Sequence, residues 1–315
     1  MKKTELYIPS ADNKTQIHTI IWDPEVEDVK AVVQLVHGMS EYIDRYNDFA
    51  VYLAGKGYGV IGHDHLGHGK SLTNPSRLGF ISEKDGHEIL LKDISAVSHV
   101  AEERWPGKKR ILLGHSMGSF IVRRYVALHS EELDGAVFMG TGWVPGAASG
   151  LGASIARRAI KKNGAFAKSP LLTQMVFGSN NKPFEPARTP MDWLSRNEAN
   201  VDRYIADPLC GFEFTSGAYL DFFRILQHLS RGDDEQNIRK DLPVLIISGE
   251  NDPVGGAKSC PTVLKHYEKA GLKDVTLKLF HDDRHEILNE LDRDIVFQYI
   301  SDWFGRVIDG DQPMS

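Results

Sequence analysis

Residues 110–128 read RILLGHSMGSFIVRRYVAL, and this stretch decides the fold. Residues 110–113 have the apolar composition of a buried strand, and residues 117–128 have the length and pattern of a helix. Between them lies Gly114-His115-Ser116-Met117-Gly118, a Gly-x-Ser-x-Gly pattern. A strand that passes at once into a helix needs a sharp turn, and glycine fits where a side chain would clash with neighbouring backbone. We therefore predict that Ser116 stands at the carboxyl end of a strand as a catalytic nucleophile.

Short apolar runs alternate with amphipathic segments on both sides of this stretch. The pattern predicts further strands at 31–36, 60–62, 136–139, 244–247 and 275–280, and helices at 46–56, 88–103, 258–269 and 286–307. Such alternation is typical of βα units and of a mostly parallel central sheet flanked by helices. The residues before Ala31 predict an antiparallel opening hairpin. The predicted class is α/β.

The alternation stops between about residue 141 and residue 227, where glycine, proline and asparagine interrupt amphipathic segments. We interpret this part as a helical cap inserted after the sixth strand of one sheet, and not as a separately folded neighbour. The predicted organisation is a first core segment at 1–141, a cap at 142–230 and a second core segment at 231–315.

A serine hydroxyl needs a base to remove its proton, and the base needs an acid to orient it. With this type of turn, the acid and then the histidine follow the serine along the chain. Asp252 and His285 fit that order, because each follows a predicted strand and so lies at the same sheet edge as Ser116. We predict these three residues as the catalytic triad. Glu250 and His281, which lie closer to the strand ends, are the alternatives.

The anion formed during acyl transfer needs backbone N–H donors. Gly38 permits a tight turn after the strand at 31–36 and directs the N–H of Met39 inward, and Met117 follows the nucleophile directly. We predict an oxyanion hole formed by Met39 and Met117.

Composition limits the class of protein. The chain has 315 residues, of which 41% are hydrophobic and 25% charged, and its net charge is −6, so a sizeable core is feasible and no basic stripe indicates nucleic-acid binding. We find no signal-like apolar region after Met1 and no apolar run of membrane-spanning length, so we expect a cytoplasmic location. Cys210 and Cys260 are too few for a disulfide framework and lack metal-ligand spacing. No cofactor or metal is predicted.

Several longer stretches carry a resemblance to a known family. They are HGMSE at 37–41 with Arg45-Tyr46, HDHLGHGKS at 63–71, LGHSMG at 113–118, SRNE at 195–198 with Val201-Asp202 and Tyr204, DPL at 207–209 and HE at 285–286. With them the chain resembles the monoacylglycerol lipase and lysophospholipase branch of the α/β-hydrolases, which is also labelled serine aminopeptidase-like. The likeness spans nearly the whole chain and is weakest at 144–182.

The resemblance implies an α/β-hydrolase fold, a cap over a deep acyl pocket, and a serine esterase acting on monoacylglycerol or lysophospholipid-like substrates. It also implies a head-group site at Glu41, Arg45, His115 and Tyr204. Two alternatives stay open: Arg45 and Glu41 pair to brace their loop, and Tyr204 belongs to the core of the cap. The histidines at 63, 65 and 68 match a metal-free loop, which we interpret as support for the oxyanion turn.

Three other functions stay open at this point. A proline-type aminopeptidase needs carboxylates to hold the substrate amine, and Glu198, Asp202 and Glu213 show no obvious grouping. A general short-chain carboxylesterase and a non-catalytic binding protein are the others. The expected partner is a small ester or lipid, and neither oligomeric state nor acyl chain length is indicated.

Residues 151–162 place Leu151, Ile155 and Ala159 on one helical face, with basic residues elsewhere. This pattern favours an ordinary surface helix, and a helix that touches membrane surfaces is the alternative. Under that alternative, a membrane surface in transient contact with the cap is a further partner.

Overall fold

The computed structural model describes residues 1–232 and 234–311. Residues 233 and 312–315, which the predicted second core segment includes, lie outside the described residues. Within the described part, an 8-stranded sheet has the strand order β1-β2-β4-β3-β5-β6-β7-β8. The strands are β1 (Lys2–Pro9), β2 (Gln16–Asp23), β3 (Val32–Val36), β4 (Gly59–His63), β5 (Arg110–His115), β6 (Gly135–Met139), β7 (Val244–Gly249) and β8 (Val275–Phe280).

The opening hairpin and the parallel part of the sheet match the sequence prediction. β1 pairs antiparallel with β2, and β2 pairs antiparallel with β4, whereas the pairs from β4 to β8 are parallel. Because the carboxyl ends of parallel strands share one edge, the residues that follow β3, β5, β7 and β8 come together there.

Helices cover both faces of this sheet. The helices of the described part of the chain are α1 (Asn47–Gly55), α2 (Gly86–Arg104), α3 (Met117–His129), α4 (Gly146–Asn163), α5 (Pro170–Phe177), α6 (Glu198–Ala206), α7 (Ser216–Arg231), α8 (Gly256–Lys269) and α9 (Arg293–Asp309), of which α4 to α7 belong to the inserted segment and not to the layers on the sheet. Successive residues of β3 alternate between two hydrophobic clusters: Val32 belongs to the one with α2 and α3, and Val33 to the one with α1 and α9. A strand buried on both faces reads as a nearly continuous apolar run, which is why β3 could be recognised from sequence although Gln34, which donates to Ile94 O at 3.0 Å, interrupts it.

The helices α4 to α7 lie between β6 and β7, where the cap was predicted. α4 packs on α7 through small residues, since a Cβ at Gly152 would lie 2.5 Å from the Phe223 ring. Leu151 points away from this contact, with 59% of its surface exposed. The cap boundaries at 142 and 230 stay a prediction. In the part of the chain that the structure describes, no helix is long and apolar enough to span a bilayer.

The prediction of one terminal helix from residue 286 was wrong in its start. α9 begins at Arg293, and Ile287–Asn289 forms a short 3₁₀ turn before it. The Glu286 N–H donates to Leu194 O in the cap at 2.7 Å, and the Glu286 carboxylate binds Arg45. These contacts between distant parts of the chain override local helical propensity.

Candidate active site

Ser116 lies in a strained turn between β5 and α3. Its φ of 51° and ψ of −122° are uncommon for a residue other than glycine. A Cβ at Gly114 would lie 2.4 Å from Gly118 O, and a Cβ at Gly118 would lie 2.2 Å from Val36 O. Both glycines are therefore required by close approach of backbone. The Ser116 N–H donates to Met139 O at 2.9 Å, which fixes the turn against β6.

Asp252 and His285 are buried and in direct contact. His285 Nδ1 lies 2.9 Å from Asp252 Oδ1, and the other carboxylate oxygen accepts a hydrogen bond from Ser248 Oγ at 2.8 Å. Burial alone would raise the pKa of Asp252, but the charge and hydrogen bond of His285 outweigh it, so the pKa is lowered. An ionised Asp252 that accepts from Nδ1–H leaves Nε2 of His285 free to take up a proton.

The predicted triad residues all follow strands of the parallel sheet: Ser116 follows β5, Asp252 follows β7 and His285 follows β8. The alternative residues, His281 and Glu250, do not share the burial of this pair. They contact each other at 2.7 Å, with 85% and 44% of their side chains exposed. The geometry thus supports the predicted trio, whose catalytic roles stay a prediction.

The turn after β3 lies against the nucleophile. A Cβ at Gly38 would lie 3.2 Å from Ser116 Cβ and 2.6 Å from Glu41 Oε1. The Gly38 N–H donates to the same carboxylate oxygen at 2.6 Å, which holds the peptide directly before the one that carries the Met39 N–H. Within residues 1–232 and 234–311, the N–H groups of Met39 and Met117 have no acceptor. Two free donors beside Ser116 suit the predicted oxyanion hole.

Replacement of Gly38 by alanine is expected to lower kcat about 100-fold or more while the protein stays folded, because the methyl group would displace the oxyanion turn. The measurement is steady-state ester hydrolysis, with circular dichroism as the test of folding. Gly55→Ala is the matched control, since a Cβ there meets nothing within 4 Å. Equal activity of both variants would show that the turn at Gly38 does not serve catalysis.

Buried histidines support the oxyanion turn. The His65 N–H donates to His37 Nε2 at 3.0 Å, and the Ser40 N–H donates to His68 Nε2 at 3.4 Å. Burial lowers the pKa of His68 to about 3, as it does for His63, so both are neutral at pH 7. A neutral imidazole can accept from backbone N–H, and these bonds support the interpretation of the 63–71 loop as structural.

The residues predicted to bind a head group meet in one buried charged network. Arg45 donates to Glu41 at 2.7 Å and forms two hydrogen bonds with Glu286 at 2.7 and 2.8 Å. The Arg45 guanidinium lies 4.9 Å from the ring centroid of Tyr204, whose hydroxyl donates to Ser40 O at 3.1 Å. These are the bracing contacts that the sequence left as an alternative. A role in binding the head group stays a prediction.

His115 joins this network from the elbow. Its Nδ1 lies 3.2 Å from Glu41 Oε1 and its Nε2 lies 3.2 Å from the carbonyl oxygen of His285. Burial would lower the pKa of His115, but the hydrogen bond and charge of Glu41 raise it above its usual range. Asn200, on α6 of the cap, adds a 2.7 Å hydrogen bond to Glu286. Sequence reasoning missed Glu286 and Asn200 as network members, although the HE at 285–286 belonged to the motifs.

Stability at acid pH should depend on Glu41. Burial would raise the pKa of Glu41, but the hydrogen bond from His115 and the charge of Arg45 lower it far below its usual range. Because the unfolded carboxyl titrates near about pH 4.3, the stabilisation is present above that pH and is lost as the pH falls below it. Urea unfolding should therefore show Glu41→Gln less stable than wild type at pH 6.5, with a gap that narrows toward pH 3.5. Glu27→Gln, at an exposed site, is the control; a pH-independent gap for Glu41→Gln would contradict the assignment.

A cavity of about 320 Å³ opens at Ser116. Phe120 of α3 and Phe222 and Leu226 of α7 line it, and Met175 of α5, which is 41% exposed, lies at its rim. Met39 and Met117 line it beside the nucleophile. Among the described residues that line this cavity none carries a charged side chain, and Glu41, Arg45, His115 and Tyr204 are not among them.

Comparison with known proteins decides the family. Residues 27–292 match the family described as "Serine aminopeptidase, S33" (Hydrolase_4). The chain belongs to this family. The S33-family chain is 27% identical to the monoacylglycerol lipase of Mycolicibacterium smegmatis over 287 residues, 90% of each protein. It is also 27% identical to the human monoglyceride lipase over 280 residues, 87% of this chain and 82% of that protein.

Solved structures agree with this assignment. A highly thermostable carboxyl esterase from Bacillus coagulans, in complex with glycerol, has a TM-score of 0.90 and 26% identity, covering 98% of this chain and 99% of its own. A soluble variant of the monoglyceride lipase from Saccharomyces cerevisiae has a TM-score of 0.77 at 18% identity, covering 98% of this chain and 96% of its own, and bears on the fold alone. The predicted α/β-hydrolase fold and the resemblance to the monoacylglycerol lipase branch are confirmed.

Proposed function

We propose that the S33-family chain is a carboxylic-ester hydrolase that cleaves monoacylglycerol or lysophospholipid-like esters. The observation that carries this proposal is the uncharged, largely apolar cavity that opens directly at Ser116. Such a cavity suits a fatty acyl chain, whose burial is favourable in proportion to its apolar area. The related proteins named monoacylglycerol lipase, and the glycerol bound to the related esterase, support an ester of glycerol as substrate.

Each residue of the site has a defined part in the proposed reaction. Ser116 Oγ attacks the ester carbonyl while its proton passes to Nε2 of His285, which Asp252 orients through Nδ1. The N–H groups of Met39 and Met117 stabilise the negative oxygen of the tetrahedral intermediate. His285 then returns the proton to the departing alcohol as the carbon–oxygen bond breaks, and an acyl-enzyme remains. His285 next takes a proton from water as the water oxygen attacks the acyl carbonyl, and it returns the proton to Ser116 Oγ as the bond to the serine breaks and the carboxylic acid leaves.

The main alternative is an aminopeptidase, the activity after which the S33 family is described. An aminopeptidase must hold the substrate ammonium group with carboxylates, which the uncharged cavity does not offer. Two of the carboxylates considered from sequence, Glu198 and Asp202, pair instead with Arg188 at 3.8 and 2.6 Å, with 75% and 57% of their side chains exposed. Glu213 is not among the residues that line the cavity.

A substrate panel tests the proposal. Purified protein is assayed on monoacylglycerols of increasing chain length, on lysophosphatidylcholine, on p-nitrophenyl esters and on aminoacyl arylamides. We expect ester cleavage with the highest kcat/KM on one of the two lipid classes. Cleavage of short p-nitrophenyl esters alone would indicate a general carboxylesterase, and arylamide cleavage without ester cleavage would establish the aminopeptidase.

We propose a cytoplasmic location for the protein, which cell fractionation would test. We also propose transient contact of the cap with lipid surfaces, because Leu151 of α4 and Leu171 of α5 are 59% and 58% exposed and the last turn of α4 carries Lys161 and Lys162. Sedimentation with anionic vesicles should show binding that salt weakens and that Leu171→Glu reduces. Equal sedimentation with and without vesicles would exclude this contact.

A further inference from the structure

An aromatic side chain from the cap covers the predicted catalytic histidine. The 3₁₀ turn Asp192–Leu194 places the Trp193 ring against His285, with ring centroids 4.9 Å apart and planes inclined by 38°. Both side chains are shielded from solvent, since Trp193 is 6% and His285 2% exposed. An indole this close to an imidazole is within the range of a cation–π interaction when the imidazole is protonated.

Hydrogen bonds attach this turn on both sides of His285. The Glu286 N–H donates to Leu194 O at 2.7 Å, and Arg284 Nη1 donates to Asp192 O at 2.5 Å. The backbone N–H of Trp193 donates to Asn181 Oδ1 at 2.9 Å, which holds the turn within the cap. The backbone that carries the indole is therefore attached both to the cap and to the residues on either side of His285.

Besides the indole, two other side chains lie next to the His285 ring. Asp252 hydrogen-bonds Nδ1, and the His115 ring lies 4.7 Å away with its Nε2 at the His285 carbonyl oxygen. His115 has a raised pKa, and a charged His115 would repel a charged His285. The electron-rich indole face offsets that repulsion without adding a titratable group.

We propose that Trp193 is a positioning residue that holds the His285 ring and stabilises its imidazolium form during catalysis. The inference rests on the proposed function, in which His285 carries the proton of Ser116 between attack and departure of the alcohol. The interaction is stronger in the charged state, so it lowers the barrier to reaction more than it affects substrate binding. The cap then contributes to chemistry as well as to the acyl cavity.

Two substitutions separate the effect of the aromatic face of Trp193 from the effect of its apolar volume. Trp193→Phe keeps an aromatic face, and Trp193→Leu keeps an apolar side chain without one. We expect Trp193→Leu to lower kcat about fivefold to thirtyfold with KM nearly unchanged, and Trp193→Phe to recover most of that loss. Trp143→Phe is the matched control, because Trp143 also lies against a histidine, with its ring 3.7 Å from that of His266. This variant should keep wild-type kcat. Wild-type kcat in Trp193→Leu, or equal loss in both Trp193 variants, would overturn the proposal.

Phosphonylation by a fluorophosphonate distinguishes this inference from the proposed function, because it needs Ser116 and His285 but no ester substrate. If wild type reacts with the probe and cleaves no ester, the proposed function fails, and the order of phosphonylation rates still decides the role of Trp193. The expected order is wild type, then Trp193→Phe, then Trp193→Leu. Absence of reaction in wild type would overturn both.

A second substitution covers the case in which circular dichroism shows that Trp193→Leu does not fold. Trp193→Met then takes its place, because methionine fills the site with a flexible apolar side chain that has no aromatic face. We expect the same loss of kcat with KM nearly unchanged. Wild-type kcat in Trp193→Met would overturn the proposal.

Discussion

Replacement of Ser116 by alanine is expected to lower kcat for ester hydrolysis by about 10⁴-fold to 10⁶-fold, because alanine lacks the hydroxyl that forms the acyl-enzyme. The variant should fold normally: alanine removes only the hydroxyl, and the turn is held by the Ser116 N–H and the two flanking glycines. Steady-state hydrolysis of the best ester from the substrate panel measures the effect. KM should change little, because the acyl cavity is untouched.

Ser119→Ala is the matched control on the same helix. Ser119 Oγ donates to the Ser116 carbonyl at 2.6 Å, so its loss disturbs the elbow without removing the nucleophile. We expect a loss of less than about tenfold, the worth of one ordinary hydrogen bond. Comparable losses in the two variants would mean that elbow geometry, and not the Ser116 hydroxyl, accounts for the effect.

Replacement of Arg45 by methionine is expected to lower the free energy of unfolding by about 3–5 kcal/mol, because it leaves two buried carboxylates without their shared cation. Only 11% of the Arg45 side chain is exposed, and 5% and 4% of the Glu41 and Glu286 side chains. Urea unfolding at pH 7 measures the change. Activity should fall as well, since Glu41 binds the Gly38 N–H and Glu286 follows His285 in the chain.

Arg293→Met provides the comparison for the Arg45 variant. Arg293 pairs with Asp48 at 2.7 Å at the surface, where 38% and 60% of the two side chains are exposed. Such a pair contributes about 0–1 kcal/mol. If Arg45→Met is no more destabilising than Arg293→Met, the buried network does not brace the site. Adding Glu286→Gln to Arg45→Met should recover part of the lost stability, because it removes one of the stranded charges.

Much of the fold could be predicted because its signals are local. The strands of the parallel sheet are short apolar runs, and the elbow is a contiguous pattern between β5 and α3. The order and strand-end positions of Ser116, Asp252 and His285 placed them at one sheet edge without any contact being known. The close approaches at Gly114 and Gly118 explain why this part of the sequence is so restricted.

The rest depends on contacts between residues far apart in the chain. Arg45 and Glu286 are separated by 241 positions, and no local pattern shows that they pair. The same applies to Trp193, which reads as an ordinary apolar residue of the cap until the structure places it on His285. The predicted start of the terminal helix at residue 286 was wrong for the same reason. Glu286 is bound to the cap and to Arg45, and α9 begins only at Arg293.

The central claim is that Ser116 forms a covalent acyl-enzyme with His285 as its base. Its most direct test is mass spectrometry of the protein after reaction with a fluorophosphonate, with and without competing monoacylglycerol. The account predicts one adduct on the peptide that contains Ser116, slowed by the competing substrate and nearly abolished in His285→Gln. An adduct on another residue, or labelling that neither His285→Gln nor the competing substrate affects, would contradict it.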